Sequence, residues 1–119
     1  MTQIAAIAVI IIAIVSHEAG HAAAAQAVGL QWRPFVRLPW KIGVVVVAPD
    51  PGIRARDDLF IALSGPAASA MLAALTFEIS PTLSLLSACL AVLNLLPFPG
   101  TDGWRAIGAA RRLAVSESA

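Results

Sequence analysis

Apolar residues fill this chain in three long runs, and the polar positions that interrupt them are few enough to name. The first run covers about residues 3–30 and is broken in its interior only by a small group that includes His17, Glu18 and His21. The second, "LFIALSGPAASAMLAALTF" (59–77, within a span of about 58–78), carries no charge and is opened by Asp57 and Asp58, which suit a helix N-terminus. Gly65, Ala67, Ala68, Ser69 and Ala70 make part of it small enough for close helix contact. The third, "PTLSLLSACLAVLNLL" (81–96), begins at Pro81, a favoured first-turn residue, and stops at "PFPG". Crossing ~30 Å of hydrocarbon takes ~20 residues. The first two runs are long enough, whereas the third reaches ~24 Å and should end below the membrane surface.

Between the first two runs the pattern changes period. Pro34 and Pro39 exclude a helix, and "IGVVVVA" (42–48) is short and β-branched, so it predicts a strand that pairs with "FVRL" (35–38) across a turn at residues 39–41. After residue 103, "WRAIGAARRLAV" predicts a short amphipathic helix on the membrane surface, with a frayed tail over 113–119. The fold class expected is therefore an α-helical membrane protein. It has three transmembrane helices, a short interfacial β-hairpin between helices 1 and 2, and a C-terminal amphipathic helix, all within a single domain over 1–119.

Composition sharpens this. Of 119 residues, 59% are hydrophobic and only 13% charged, against roughly 25% charged in an ordinary soluble domain. The net charge of +1 points to no nucleic-acid partner. Single Cys89 excludes an intrachain disulfide and reads as a small apolar filler. All eight Lys and Arg lie in the first connection (Arg33, Arg37, Lys41, Arg54, Arg56) or after the third run (Arg105, Arg111, Arg112). Those segments are expected on the cytoplasmic side, with Trp32, Trp40 and Trp104 beside them as interfacial anchors. The N-terminus and the turn at Glu78 then face outward, and the first run, long and without basic residues before it, does not read as a cleaved signal.

The chemistry lies where the pattern is broken. His17 and His21 are the only histidines in the chain, and a spacing of four puts both on one helix face, as two ligands of one zinc require. Glu18 sits one position round, where an H-E-x-x-H site places the general base. Ionisable groups inside a membrane span cost roughly 2.5–3.5 kcal/mol each, so their presence favours a functional role over hydrogen-bonded packing. A catalytic zinc takes a third protein ligand. Asp50, Asp57 and Asp58 belong to the first connection, Glu78 to the far side and Glu117 to the tail. Asp102 follows a helix stopped by Pro97 and Pro99, just where another begins, and Asn94 near it falls at the depth of His21.

Three segments in this order, "HEAGH" (17–21), "SGPAAS" (64–69) and "NLLPFPGTDGW" (94–104), resemble the catalytic core of the site-2 protease family of intramembrane zinc metalloproteases. The resemblance implies zinc held by His17, His21 and Asp102, Glu18 as base and proton shuttle, and Asn94 steadying the scissile carbonyl or its oxyanion. It also implies cleavage of transmembrane-helix proteins or membrane peptides near the cytoplasmic face, in a multi-pass protein of a bacterial cell membrane. Ser69 stands where the family usually has asparagine, affecting a helix contact or a substrate hydrogen bond, and Thr101 where it usually has a hydrophobic residue. The strand 43–47, with Val45 at its centre, offers an edge on which an unwound substrate can add as another strand. Extra helices and a peptide-binding domain of larger members have no counterpart in these residues, so association with a second copy is an expected way to shield the site. The competing reading is a non-proteolytic zinc-binding scaffold or accessory subunit.

Overall fold

A computed structural model describes residues 1–37 and 41–118. Helix α1 (Gln3–Ala27) starts at Thr2, whose hydroxyl accepts the Ala5 N–H at 3.2 Å. It ends three residues short of Leu30. The cause is Gly29, which takes a φ of +78° and lets the Leu30 and Gly29 N–H groups return to the carbonyls of Ala25 and Gln26 at 2.9 and 3.1 Å. Leu30 then folds back onto a small core of Ala24, Ala25 and Ile61.

Two antiparallel strands follow, β1 (Trp32–Arg37) and β2 (Lys41–Val46), with Trp32 opposite Val46 and Val36 opposite Ile42. β1 begins earlier than expected and includes Pro34. The ladder tolerates it because the Val47 N–H donates to the Gln31 carbonyl at 2.8 Å; counting in twos from that bonded pair leaves Pro34 and Val44 in a pair whose backbone groups point away from each other. The connection between the strands, with Pro39 and Trp40, lies outside the described residues.

Helix α2 (Ala55–Thr76) is central and packs against α1, α3 (Pro81–Leu95) and α4 (Asp102–Ser118). Its contact with α1 is close because glycine faces small groups on each side. A Cβ at Gly20 would lie 2.7 Å from the Ala68 Cβ and collide with the Ser64 carbonyl. α3 starts at Pro81 after an N-cap at Ser80 and is tied to α2 by the Ser84 hydroxyl, which donates to the Ala73 carbonyl at 2.6 Å.

The turn from α3 into α4 positions Asp102. Gly100 supplies a φ of +92°. The Thr101 hydroxyl accepts the Trp104 N–H at 3.2 Å and donates toward the carbonyls of Leu96 and Phe98, so it caps α4 and fastens it to the end of α3. A hydrophobic residue at 101 lacks both abilities. Gly103 meets the Leu95 and Leu96 carbonyls with no room for a Cβ. α4 does not fray near residue 113 but continues to Ser118. Asp58 in the first turn of α2 holds it from the side, accepting from Arg105 Nε at 2.5 Å and from Arg112.

α1 and α2 are each long and apolar enough to cross a membrane, and α3 is apolar but shorter. Their outer faces are bare: Ile4, Ile7, Ile10, Ile11 and Val15 on α1, Met71 and Leu75 on α2, and Leu85 and Val92 on α3 are all exposed.

Candidate metal centre

The four-residue spacing of His17 and His21 stacks their rings edge to face, centroids 5.0 Å apart, on the side of α1 turned toward α2. Both are buried. Each ring uses its Nδ1 on α2: His17 Nδ1 lies 2.8 Å from the Ser69 hydroxyl, and His21 Nδ1 lies 2.7 Å from the Ile61 carbonyl oxygen. Pro66, in the interior of α2, has no N–H to give the Ala62 carbonyl, one residue beyond the Ile61 carbonyl that His21 meets.

Both Nε2 atoms are thereby aimed at one point. Asp102 Oδ2 lies 2.9 Å from His17 Nε2 and 3.2 Å from His21 Nε2, and the ligand atoms of the three residues fall within 4.8 Å of one another. Donors bonded to one tetrahedral ion at ~2.0–2.1 Å are themselves ~3.3 Å apart, close to the two separations from Asp102 Oδ2. The tautomer makes the chemistry sharper. A carbonyl only accepts, so His21 Nδ1 is the donor, and in a neutral ring its Nε2 is then an acceptor. It faces a carboxylate oxygen, which is another acceptor. Two acceptors at 3.2 Å in a buried site call for a cation between them, whether a metal ion or a second proton on the ring.

Glu18 stands beside this cluster and outside it. Its Oε2 accepts the Val44 N–H of β2 at 2.9 Å, and among the described residues it has no hydrogen bond to His17, His21 or Asp102. A small chamber of about 160 Å³ is lined by Glu18, His21, Asp102, Val44, Val46 and Arg105 among others. A longer apolar groove of about 390 Å³, between α1 and the hairpin, reaches Glu18 from the other side.

Three expected residues are placed differently. Ser69 is fully buried between α1 and α2 with its hydroxyl on His17, so of its two expected roles the helix contact is the one present. Asn94 donates from Nδ2 to the Leu90 carbonyl of its own helix at 2.9 Å, and among the described residues it makes no hydrogen bond to a second helix and does not line the chamber. Its amide is satisfied by the preceding turn. Val45 belongs to the same phase of the ladder as Val47, so its N–H and carbonyl face β1; the free edge of β2 belongs to Ile42, Val44 and Val46. Two participants, the Ile61 carbonyl and the Val44 amide, are backbone groups whose side chains give no signal.

Gly65 is where α2 touches the site, since a Cβ there would fall on the His21 imidazole, 2.8 Å from Cδ2 and closer to Nε2 and Cε1. Glycine to alanine in a helix ordinarily stabilises by ~1 kcal/mol. At Gly65 the expected result is reversed, with overpacking of ~1–3 kcal/mol and a ~10–100-fold loss of metal affinity from the displaced ring. Gly108→Ala, where a Cβ meets nothing within 4 Å, is the control that should gain stability. Metal titration and thermal unfolding of both variants check this.

Comparison with protein-family models, with curated proteins and with solved structures gives no match for this chain.

Proposed function

We propose that this chain is the membrane-embedded core of a zinc metallopeptidase of the site-2 protease kind, which hydrolyses peptide bonds of transmembrane-helix substrates near the cytoplasmic face. The observation that carries the reading is the convergence of His17 Nε2, His21 Nε2 and Asp102 Oδ2, with both Nδ1 atoms turned outward onto α2 and a carboxylate left over beside them. Two neutral imidazoles and one carboxylate are a donor set that suits zinc. When bound, zinc supplies a Lewis acid that polarises a carbonyl and makes water acidic enough to attack near neutral pH.

The chain's own residues supply the rest. Ser69 and the Ile61 carbonyl fix ring orientation, as outer partners of metal-binding histidines do. Glu18, not needed to complete the ligand set, is the group that takes a proton from the attacking water and delivers it to the leaving amine. The unpaired edge of β2, at Ile42, Val44 and Val46, runs past Glu18 and offers hydrogen bonds to a substrate segment that has unwound.

Insertion in a bilayer is supported by exposure. Only 17% of the apolar window of α1 and 28% of that of α2 is buried. The core helices of a soluble protein would be mostly covered, and bare Ile and Leu faces on three helices need an apolar solvent. The basic residues beside α2 and on α4 favour a cytoplasmic location for that end.

The test is metal analysis of detergent-purified protein, followed by reconstitution in vesicles with a labelled apolar helical peptide and mass analysis of products. The expected result is one zinc per chain and chelator-sensitive cleavage. Zinc without cleavage of any helical peptide would favour the scaffold reading, and protein that takes up no metal would overturn both.

A further inference from the structure

The Val44 N–H is claimed twice. It donates to Glu18 Oε2 at 2.9 Å, and the ladder places it on the edge of β2 that faces away from β1. An added strand must use the groups of that edge, those of Ile42, Val44 and Val46. One amide hydrogen cannot serve the Glu18 carboxylate and an incoming carbonyl together.

The geometry points to a substrate-released base, and we infer that the Val44 amide is a positioning group for Glu18. In the resting protein it holds the carboxylate against the strand edge. A docking strand takes the amide for its own carbonyl and frees Glu18 to accept a proton. The inference rests on the peptidase reading of the site and adds a condition to it: the base works only when the segment beside it is extended.

The surroundings suit such a device. Glu18, Ile42, Gly43 and Val44 line both the apolar groove and the small chamber, so the bonded pair stands between the place where an apolar segment can lie and the converging ligands. Among the described residues the Val44 amide is the only hydrogen-bond partner of the Glu18 carboxylate. Loss of that one bond therefore leaves the side chain free to turn.

The test is made without turnover, on the metal-free 119-residue chain in detergent. The probe is a labelled seven-residue valine and threonine peptide, N-methylated at alternate positions so that a single edge can pair. Because a hydrogen bond to a charged group must be broken before docking in the wild type, Glu18→Ala is expected to bind the peptide about tenfold more tightly. Val44→Pro, which removes the N–H from the free edge without touching the ladder, is expected to bind more weakly than wild type. Amide exchange gives a second measurement: the Val44 N–H should be protected in wild type, exposed in Glu18→Ala, and protected again when the peptide is added to that variant.

Equal affinity of wild type and Glu18→Ala overturns the inference, as does a Val44 amide that exchanges freely in wild type. Failure of the peptide to bind any form, with zinc uptake intact, also overturns it and leaves the peptidase reading standing. The expected affinity order in a protein that neither takes up zinc nor cleaves would leave the latch in place and remove the peptidase.

Discussion

Replacing Asp102 with alanine is expected to strip the metal from the protein and, in the same experiment, to spare or raise the stability of the metal-free form. Outer partners of a ligand typically contribute ~10–100-fold to metal affinity, so loss of one of three ligands should exceed ~100-fold. The second half of the expectation separates two explanations of one geometry. If a second proton on His21 is what joins the imidazoles to Asp102 at 2.9 and 3.2 Å, the cluster is a part-buried ion pair, and removing one partner should cost ~3–5 kcal/mol. If a metal ion joins them, the empty site sets a carboxylate against the acceptor nitrogen of His21. Its removal relieves that opposition, and only the loaded protein loses stability. Metal content together with thermal unfolding, each with and without chelator, reads both halves. A variant that keeps its zinc would move the third ligand elsewhere, and one equally weakened in both conditions would favour the ion pair.

The elements of this protein were legible because each has a local cause. Pro81 opens a helix, Pro97 follows its end, and the β-branched run at 44–46 favours a strand, whereas the end of α1 at Ala27 is set by Gly29, which the apolar pattern runs past. The histidine pair and Asp102 were legible for another reason: chemistry that is expensive in an apolar setting stands out against it. What could not be seen was which backbone groups meet them. Asn94 has the right type and depth for the site, yet the Leu90 carbonyl one turn before it on α3 takes its amide. Ser69 was legible as part of the small-residue stripe that lets α2 approach α1, but not that the same closeness sets its hydroxyl against His17. Val45 is the centre of the strand by sequence, whereas which of 44 and 45 faces the open edge depends on ladder phase, set by the Gln31 to Val47 bond outside the strand itself. Sequence pattern fixes side-chain alternation; it does not say which edge of a two-stranded sheet is left open.

Glu18→Gln carries the other large expected effect, and its value lies in what it leaves alone. Glutamine keeps the length of the side chain and an oxygen that can accept the Val44 N–H, so the hairpin and the groove beside it should hold their places. Glu18 is outside the converging set of His17, His21 and Asp102, so zinc content should stay near that of wild type. What glutamine cannot do is accept a proton. A positioned general base contributes ~10²–10⁴-fold, so single-turnover cleavage of a reconstituted helical peptide should fall by that factor with little change in the amount of peptide bound. The contrast with Asp102→Ala is then informative in itself, because one variant loses metal and activity together while the other loses activity alone. Zinc that falls in Glu18→Gln would make Glu18 a ligand, leaving the protein without a base at this position. Cleavage that persists with zinc intact would show that the proton is taken elsewhere; among the described residues lining the chamber the remaining carboxylate is Asp102, which belongs to the proposed ligand set.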